Sequence, residues 1–300
     1  MSRLALGTMT WGSSVDAEGA RDQLALYVEA GGNLVDTASG YAGGASEEII
    51  GTLLGDVVAR DDLLLCTKSG ISRQGDDRVV DTSRRGLLRQ LDNSLSRLRT
   101  DHVDLWLVHA WSDATPLEET LSALSYAVGT GRATYVGVSN YSGWQTARAL
   151  TLLGQERVPL VANQSQYSLL HRVPEDDLVP AAEALGFGLL PWSPLGRGVL
   201  SGKYRTGMPS DSRAGSRDFP RFAERYLDER SITVTEAVVT AARGLQVSPV
   251  EVALAWVRDR PGVSAPVLGA RTLPQLRTAL ASETLTLPPE IVEALDEVSD

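Results

Sequence analysis

A chain of 300 residues with 43% hydrophobic and 22% charged side chains holds enough apolar material for a sizeable core. Its formal net charge of -10 excludes a global electrostatic footprint for nucleic acid or anionic lipid, so neither nucleic acid nor membrane is an expected partner. The single cysteine, Cys66, excludes an internal disulfide and any multi-cysteine metal site.

The N-terminal apolar run is too short for a signal peptide, and no stretch approaches the roughly 20 residues of a membrane span. The expected location is a reducing cytoplasm. In chain order, apolar runs read as strands at Leu4–Thr8, Asn33–Asp36, Leu63–Lys68 and Val103–His109. Four more follow at Thr134–Ser139, Leu160–Gln164, Gly188–Pro191 and Val263–Leu268. Several are nearly continuous hydrophobic stretches (LLLCTK, VDLWLVH, YVGVS), as strands covered on both faces are. Cys66 sits in the first of these and reads as a buried strand thiol. Amphipathic helical patterns lie between, for example Asp22–Glu29, Arg84–Leu98, Leu117–Val128, Trp144–Leu153, Leu178–Leu185 and Val250–Val257. Residues 205–230, rich in Gly, Pro, Ser and charge, read as a long loop insertion after the seventh strand. Pro289–Asp300 reads as a short closing helix.

Strands alternating with helices indicate a parallel sheet, because each parallel crossover needs a covering helix. Eight such units close into a (β/α)8 TIM barrel, expected here as a single domain over residues 1–300. The rival, an open doubly wound sheet, predicts a glycine-rich phosphate loop directly after the first strand. The first strand instead runs into GTMTWG, with no GxGxxG.

In such a barrel the C-terminal strand ends carry the active site. The polar residues ending these strands are Asp36, Lys68, His109, Ser139 with Asn140, and Gln164, and Tyr41 follows in the loop after Asp36. The seventh strand leads into Trp192 and Ser193, and the eighth into Gly269, Ala270 and Arg271. Each has a plain reading alone: Asp36 as a turn cap, Lys68 as an exposed charge, His109 as a core histidine, Tyr41 as pocket lining. Together on one rim they suit proton donation to a carbonyl oxygen. A free phenol, with a pKa near ~10, is a weak acid at neutral pH. An ammonium at Lys68 would lower that value, Asp36 would hold the ammonium, and His109 would orient the substrate oxygen. With three histidines, of which His102 precedes the fourth strand and His171 lies in a loop, no metal-ligand cluster is visible.

The sequence resembles the aldo-keto reductase superfamily along essentially its whole length. The resemblance is carried by GTM at Gly7–Met9, DTASGY at Asp36–Tyr41, TKSG at Thr67–Gly70 and DLWLVH ending at His109. It continues through TPLEET, GRATYVGVSN ending at Asn140, QSQYSLL from Gln164, WSPLGRGVLSGKY from Trp192, and VLGAR ending at Arg271. It implies a catalytic tetrad of Asp36, Tyr41, Lys68 and His109, and an extended NADPH, favoured over NADH. Ser139, Asn140 and Gln164 would hold the nicotinamide carboxamide. Trp192 would stack on the ring where the family more often has tyrosine, losing a hydroxyl. Ser193, Leu195 and Gly196 match the pyrophosphate loop, with Arg197 a phosphate contact. Arg271 and Thr272 match the 2′-phosphate site and Gln275 an adenosine contact, although Thr278 and Ala279 depart from the family's Glu and Asn. Thr8, Met9 and Gly269 complete the expected cofactor set.

The implied reaction is hydride transfer to an aldehyde or ketone, with a small-molecule carbonyl as partner and a monomer or simple homo-oligomer as the assembly. Trp11 and Trp111 are expected to line the substrate pocket, joined by Phe219 and Phe222 from the insertion. A slow-turnover, nicotinamide-binding regulatory or redox-sensing barrel is the alternative on the same fold.

Overall fold

The computed structural model describes residues 1–75, 77–204, 226 and 228–300. Ten strands are present among them: β1 (Ala5–Gly7), β2 (Leu34–Asp36), β3 (Leu64–Ser69), β4 (Ile71–Gln74), β5 (Asp77–Val80), β6 (Val103–Val108), β7 (Ala133–Ser139), β8 (Leu160–Gln164), β9 (Gly188–Leu189) and β10 (Val267–Leu268). The parallel sheet runs β10-β1-β2-β3-β6-β7-β8-β9. It closes on itself. Leu189 bridges to Val263, Ser264 N donates to Leu189 O (2.8 Å) and Val267 N donates to Pro191 O (2.8 Å), which joins β9 to the β10 segment. The expected (β/α)8 barrel is the fold observed, and closure removes the exposed edges an open sheet would present.

The helices are α1 (Ala17–Glu29), α2 (Ala45–Leu53), α3 (Arg84–Leu98), α4 (Leu117–Gly129), α5 (Gly143–Gln155), α6 (Pro174–Leu185), α7 (Glu229–Leu245), α8 (Pro249–Arg258), α9 (Leu273–Ala281) and α10 (Pro289–Ser299). Their starts are written in the sequence. Asp16, Ser142, Ser248 and Thr272 each accept a bond from a first-turn backbone N–H, and Ser142–Gln145 and Ser248–Glu251 form reciprocal capping boxes. Among the described residues, no helix is long and apolar enough to cross a membrane.

The expected insertion, 205–230, lies outside the described residues over 205–225 and at 227, and Phe219 and Phe222 with it. Its far boundary needs correction: α7 begins at Glu229, capped by Asp228. A second correction concerns the stretch after β3, which is an antiparallel hairpin, β4 with β5, lying outside the barrel sheet.

Two apolar layers build the core. The larger lies between sheet and helices. The smaller fills the lumen with Ala5, Leu34, Cys66, Leu107, Ala162, Leu190, Ala265 and Val267. Small side chains there let eight strands approach; a Cβ at Gly137 would meet Ala162 O at 2.3 Å and Leu107 Cδ2 at 2.8 Å. This lumen layer positions the site, because residues two apart on a strand share a face.

Candidate active site

Moving two residues up from the lumen layer on each strand reaches a polar tier. Leu34 is followed by Asp36, Cys66 by Lys68, Leu107 by His109, Gly137 by Ser139 and Ala162 by Gln164. The alternation that packs the lumen therefore aims these groups at one mouth. Asp36, Lys68, Ser139 and Gln164 are nearly or wholly buried, and Tyr41 and His109 are half-buried.

Lys68 Nζ donates to Asp36 Oδ2 at 2.8 Å, to Thr37 O at 2.5 Å and to the Tyr41 hydroxyl at 3.4 Å. The other Asp36 oxygen, Oδ1, accepts from Gln164 Nε2 at 2.7 Å. The Tyr41 and His109 rings meet edge-on with centroids 6.0 Å apart. The structure thus brings all four candidate groups, Asp36, Tyr41, Lys68 and His109, to one place.

Their charge states follow from burial and neighbours. Burial works most strongly against an ammonium at Lys68, but Asp36, with Tyr41 and Cys66 adding to it, outweighs burial and the pKa is raised, so the lysine stays charged. Burial pushes the Tyr41 phenol upward more than Lys68 pulls it down, with Asp36 adding to the rise. The expectation of a net lowering at Tyr41 is therefore corrected: the ammonium pulls in the expected direction and burial wins. Burial, then the charges of Lys68 and Arg78, push His109 down to about 3, so the ring is neutral at physiological pH. Burial also raises the Cys66 thiol well above its usual value, which makes it a core group rather than a nucleophile.

The loop bearing Tyr41 is tied down from outside the mouth. Ser39 N donates to Lys68 O (3.0 Å), and Ser39 Oγ donates to Gln90 Oε1 (3.0 Å), which also accepts from Gly70 N (2.9 Å). Arg97 Nη2 donates to Ser39 O (3.3 Å), while its Nε donates to the buried Glu47 Oε2 (2.8 Å). Thr67 Oγ1 closes the set by donating to Glu47 Oε1 (2.6 Å). Sequence reading missed Ser39, Glu47, Gln90 and Arg97. On a helical pattern, Gln90 and Arg97 look like ordinary solvent-facing positions, and no local signal distinguishes them.

Asn140 is the hub of the β7–β9 side. Its Nδ2 donates to His109 O and to Ser139 Oγ, each at 3.0 Å, and its Oδ1 accepts from Trp192 Nε1 at 3.0 Å. Ser139 Oγ donates in turn to Gln164 O at 2.8 Å. The hydroxyl lost at Trp192 is replaced by an indole N–H that holds Asn140. Farther round, Ser193 (φ 53), Gly196 (φ 53), Arg197 (φ 59) and Gly198 (φ 92) give the post-β9 loop repeated left-handed turns. Such conformations at Ser193 and Arg197 are costly without glycine and cluster at ligand-holding loops. Leu195 is half-buried in this loop. After β10, exposed Gly269 leads to half-buried Arg271, whose backbone N–H donates to Gln275 Oε1 (3.0 Å), and Thr272 caps α9.

Two expected contacts fall elsewhere. Trp11 is wholly enclosed in the core, its Nε1 donating to Gln23 Oε1 at 3.0 Å, and offers the mouth no surface. Thr8 is also fully buried, its Oγ1 donating to Asp36 O (3.0 Å) and accepting from Ser46 Oγ (2.8 Å), so it fastens β1 to β2 and α2. Met9 beside it is half-buried. Trp111 is half-buried, with its Nε1 on Asp113 Oδ1 (2.7 Å) and its ring edge-on to Tyr141 and Trp144.

The fold and this tier define a closed parallel barrel with a charged, largely buried Asp–Lys pair, a phenol and a neutral imidazole at its C-terminal mouth. The family model described as "Aldo/keto reductase family" matches residues 3–300. An uncharacterized oxidoreductase, YrpG, from Bacillus subtilis (strain 168) is 33% identical over 308 residues, covering 99% of this chain and 92% of that protein. An L-glyceraldehyde 3-phosphate reductase of Escherichia coli (strain K12) is 33% identical over 270 residues, covering 87% and 78%. A probable voltage-gated potassium channel subunit beta of Oryza sativa subsp. japonica is 33% identical over 312 residues, covering 99% and 93%. The chain belongs to the aldo/keto reductase family, and its similarity to proteins named as oxidoreductases and reductases supports an enzyme.

Proposed function

We propose that this protein is an NADPH-dependent oxidoreductase that reduces an aldehyde or ketone to an alcohol, with Tyr41 as the proton donor. The observation that carries the reading is Lys68 Nζ held at once by Asp36 (2.8 Å) and against the Tyr41 hydroxyl (3.4 Å). A phenol raised by burial keeps its proton until negative charge develops on a substrate oxygen, and the ammonium beside it then stabilises the phenolate left behind. Asp36 keeps the ammonium charged and fixed, and Gln164 fixes Asp36. Neutral His109 offers a ring N–H to the same oxygen without competing as a cation.

The donor set around the rim fits a phosphate-bearing dinucleotide: Arg197 and Arg271 follow neighbouring strands, one in the strained loop and one at the start of α9. Ser193, Leu195, Gly196 and Arg197 would hold the pyrophosphate. Arg271 and Thr272 would take a 2′-phosphate, with Gln275 near the adenosine and Gly269 in the approach. Trp192 would face the nicotinamide, with Asn140, Ser139 and Gln164 at its amide. When bound, this cofactor supplies the hydride delivered to the carbonyl carbon.

Single-turnover reduction of a simple aldehyde tests the assignment. Tyr41→Phe is expected to slow hydride transfer by ~100-fold or more while NADPH binding survives. An unchanged rate removes Tyr41 from the acid role. Steady turnover by the unaltered protein also decides between an enzyme and the slow regulatory alternative.

A further inference from the structure

The β4–β5 hairpin stands outside the barrel sheet, and it carries an arrangement that a fold does not choose for stability. Arg73 and Arg78 are directly opposite each other across its two strands, and both are exposed. Like charges at opposed positions of an antiparallel pair repel and destabilise it. The neighbouring acid Asp77 pairs with Gln74 one step along, so pleat alternation sends it to the other face. Among the described residues, neither arginine has a carboxylate partner, whereas Arg60, Arg97, Arg172 and Arg260 each do.

The hairpin's place is specific. It leaves β3 immediately after Lys68, Ser69 and Gly70, and a Cβ on Gly40, the residue before Tyr41, would lie 3.3 Å from Ile71 O. Arg78 is near enough to His109 for its charge to disfavour a protonated ring. In the closed sheet order, β3 stands four strands from β9, on the far side of the mouth from the loop holding Ser193 and Arg197. A cofactor whose phosphates sit on the β9–β10 side leaves this hairpin facing the substrate's side.

We infer that Arg73 and Arg78 form an oxyanion site on the β4–β5 hairpin that selects carbonyl substrates carrying a terminal phosphate or carboxylate. The inference rests on the carbonyl-reductase reading for the identity of the ligand, but the anion site itself does not. Two guanidinium groups sharing one oxyanion turn a repulsive cross-strand pair into a bridged one, and their forked donors suit both anions.

The test uses the whole protein and an Arg73→Gln/Arg78→Gln double variant. Reduction of glyceraldehyde 3-phosphate, succinic semialdehyde and neutral butyraldehyde is followed with NADPH. Binding of glycerol 3-phosphate and of inorganic phosphate is followed in parallel by NMR titration, which needs no turnover. The ratio of kcat/KM for either anionic substrate over butyraldehyde is expected to fall about tenfold in the double variant, mainly through KM. Loss confined to the phosphate arm or to the semialdehyde arm identifies which anion the site takes. Glycerol 3-phosphate binding is expected to weaken by a similar factor, and chemical-shift perturbations in the unaltered protein to centre on the hairpin. Equal substrate ratios in both proteins, with butyraldehyde reduced normally, overturn the anion site and leave the reductase reading standing. Hairpin-centred binding lost in the variant, with no substrate reduced by either protein, keeps the site and sinks the reductase reading.

Discussion

Gln164 and Asp36 stand 128 residues apart in the chain and meet at the barrel mouth, Nε2 to Oδ1, at 2.7 Å. With Lys68 on Oδ2, both carboxylate oxygens are committed, so Asp36 is the centre of a buried network rather than the turn cap its sequence position also allows. A buried ion pair is weak evidence for stability, but removing one partner strands the other charge.

Asp36→Ala is accordingly expected to lower the unfolding free energy by about 3–5 kcal/mol, because it leaves the Lys68 ammonium buried and unpaired. The Asp36→Ala/Lys68→Met double variant should recover part of that loss. Denaturant titration of the two single variants and the double gives the coupling. Strict additivity would mean that the pair is not energetically linked.

His109 gives a pH dependence of defined sign. Its folded pKa is pushed down from 6.5 to about 3, so between those values the unfolded chain binds the proton and the folded one does not. Stability from this group is complete above 6.5 and is lost as pH falls towards 3, by at most about 1.4 kcal/mol per pH unit and less for a half-buried ring. His109→Gln should flatten the fall in unfolding free energy between pH 6.5 and 4. A slope identical to that of the unaltered protein would show that the ring is freely solvated.

The barrel and the strand-borne groups Asp36, Lys68 and His109 were legible because one rule, residues two apart facing alike, both packs the lumen and aims the polar tier. Tyr41 follows in the loop that Asp36 begins. Strand ends such as L-x-D, C-x-K and A-x-Q carry that information locally. What ties the Tyr41 loop was not legible: Ser39, Gln90, Arg97 and Glu47 meet only after α2 and α3 pack against β3. The β4–β5 hairpin escaped because its two strands are short, four residues each, and carry polar and charged side chains rather than an apolar run. Trp11 was misplaced for the opposite reason. A large aromatic in the segment that follows a strand suits a pocket wall and a core equally, and only burial separates them.

Trp11 provides the corresponding experiment. Its ring is wholly enclosed and its N–H is bonded to Gln23, so Trp11→Ala opens a cavity and orphans a buried acceptor. The expected cost is about 3–5 kcal/mol in unfolding free energy. The milder Trp11→Phe should leave KM for a small aldehyde within about twofold, because a side chain that never reaches the mouth contributes no binding there. A selective rise in KM in the phenylalanine variant, with stability intact, would return Trp11 to the pocket.

On the proposed NADPH reading, Arg271 is the residue that would take the 2′-phosphate. It is half-buried beside the first turn of α9, where Thr272 caps the helix and Gln275 Oε1 accepts the Arg271 backbone N–H at 3.0 Å. That last bond fixes the backbone from which the guanidinium projects, while the helix N-terminus adds a favourable field for an anion. Arg271→Ala should weaken NADPH binding by about 10–100-fold, the range of a lost charged hydrogen bond, and weaken NADH binding far less, since NADH lacks the 2′-phosphate. Gln275→Ala should reproduce a fraction of the effect by loosening the loop without removing the charge. Fluorescence titrations of both cofactors against the three proteins measure it. If NADPH and NADH weaken by the same factor in Arg271→Ala, this arginine does not read the 2′-phosphate and the cofactor preference must be argued from another residue.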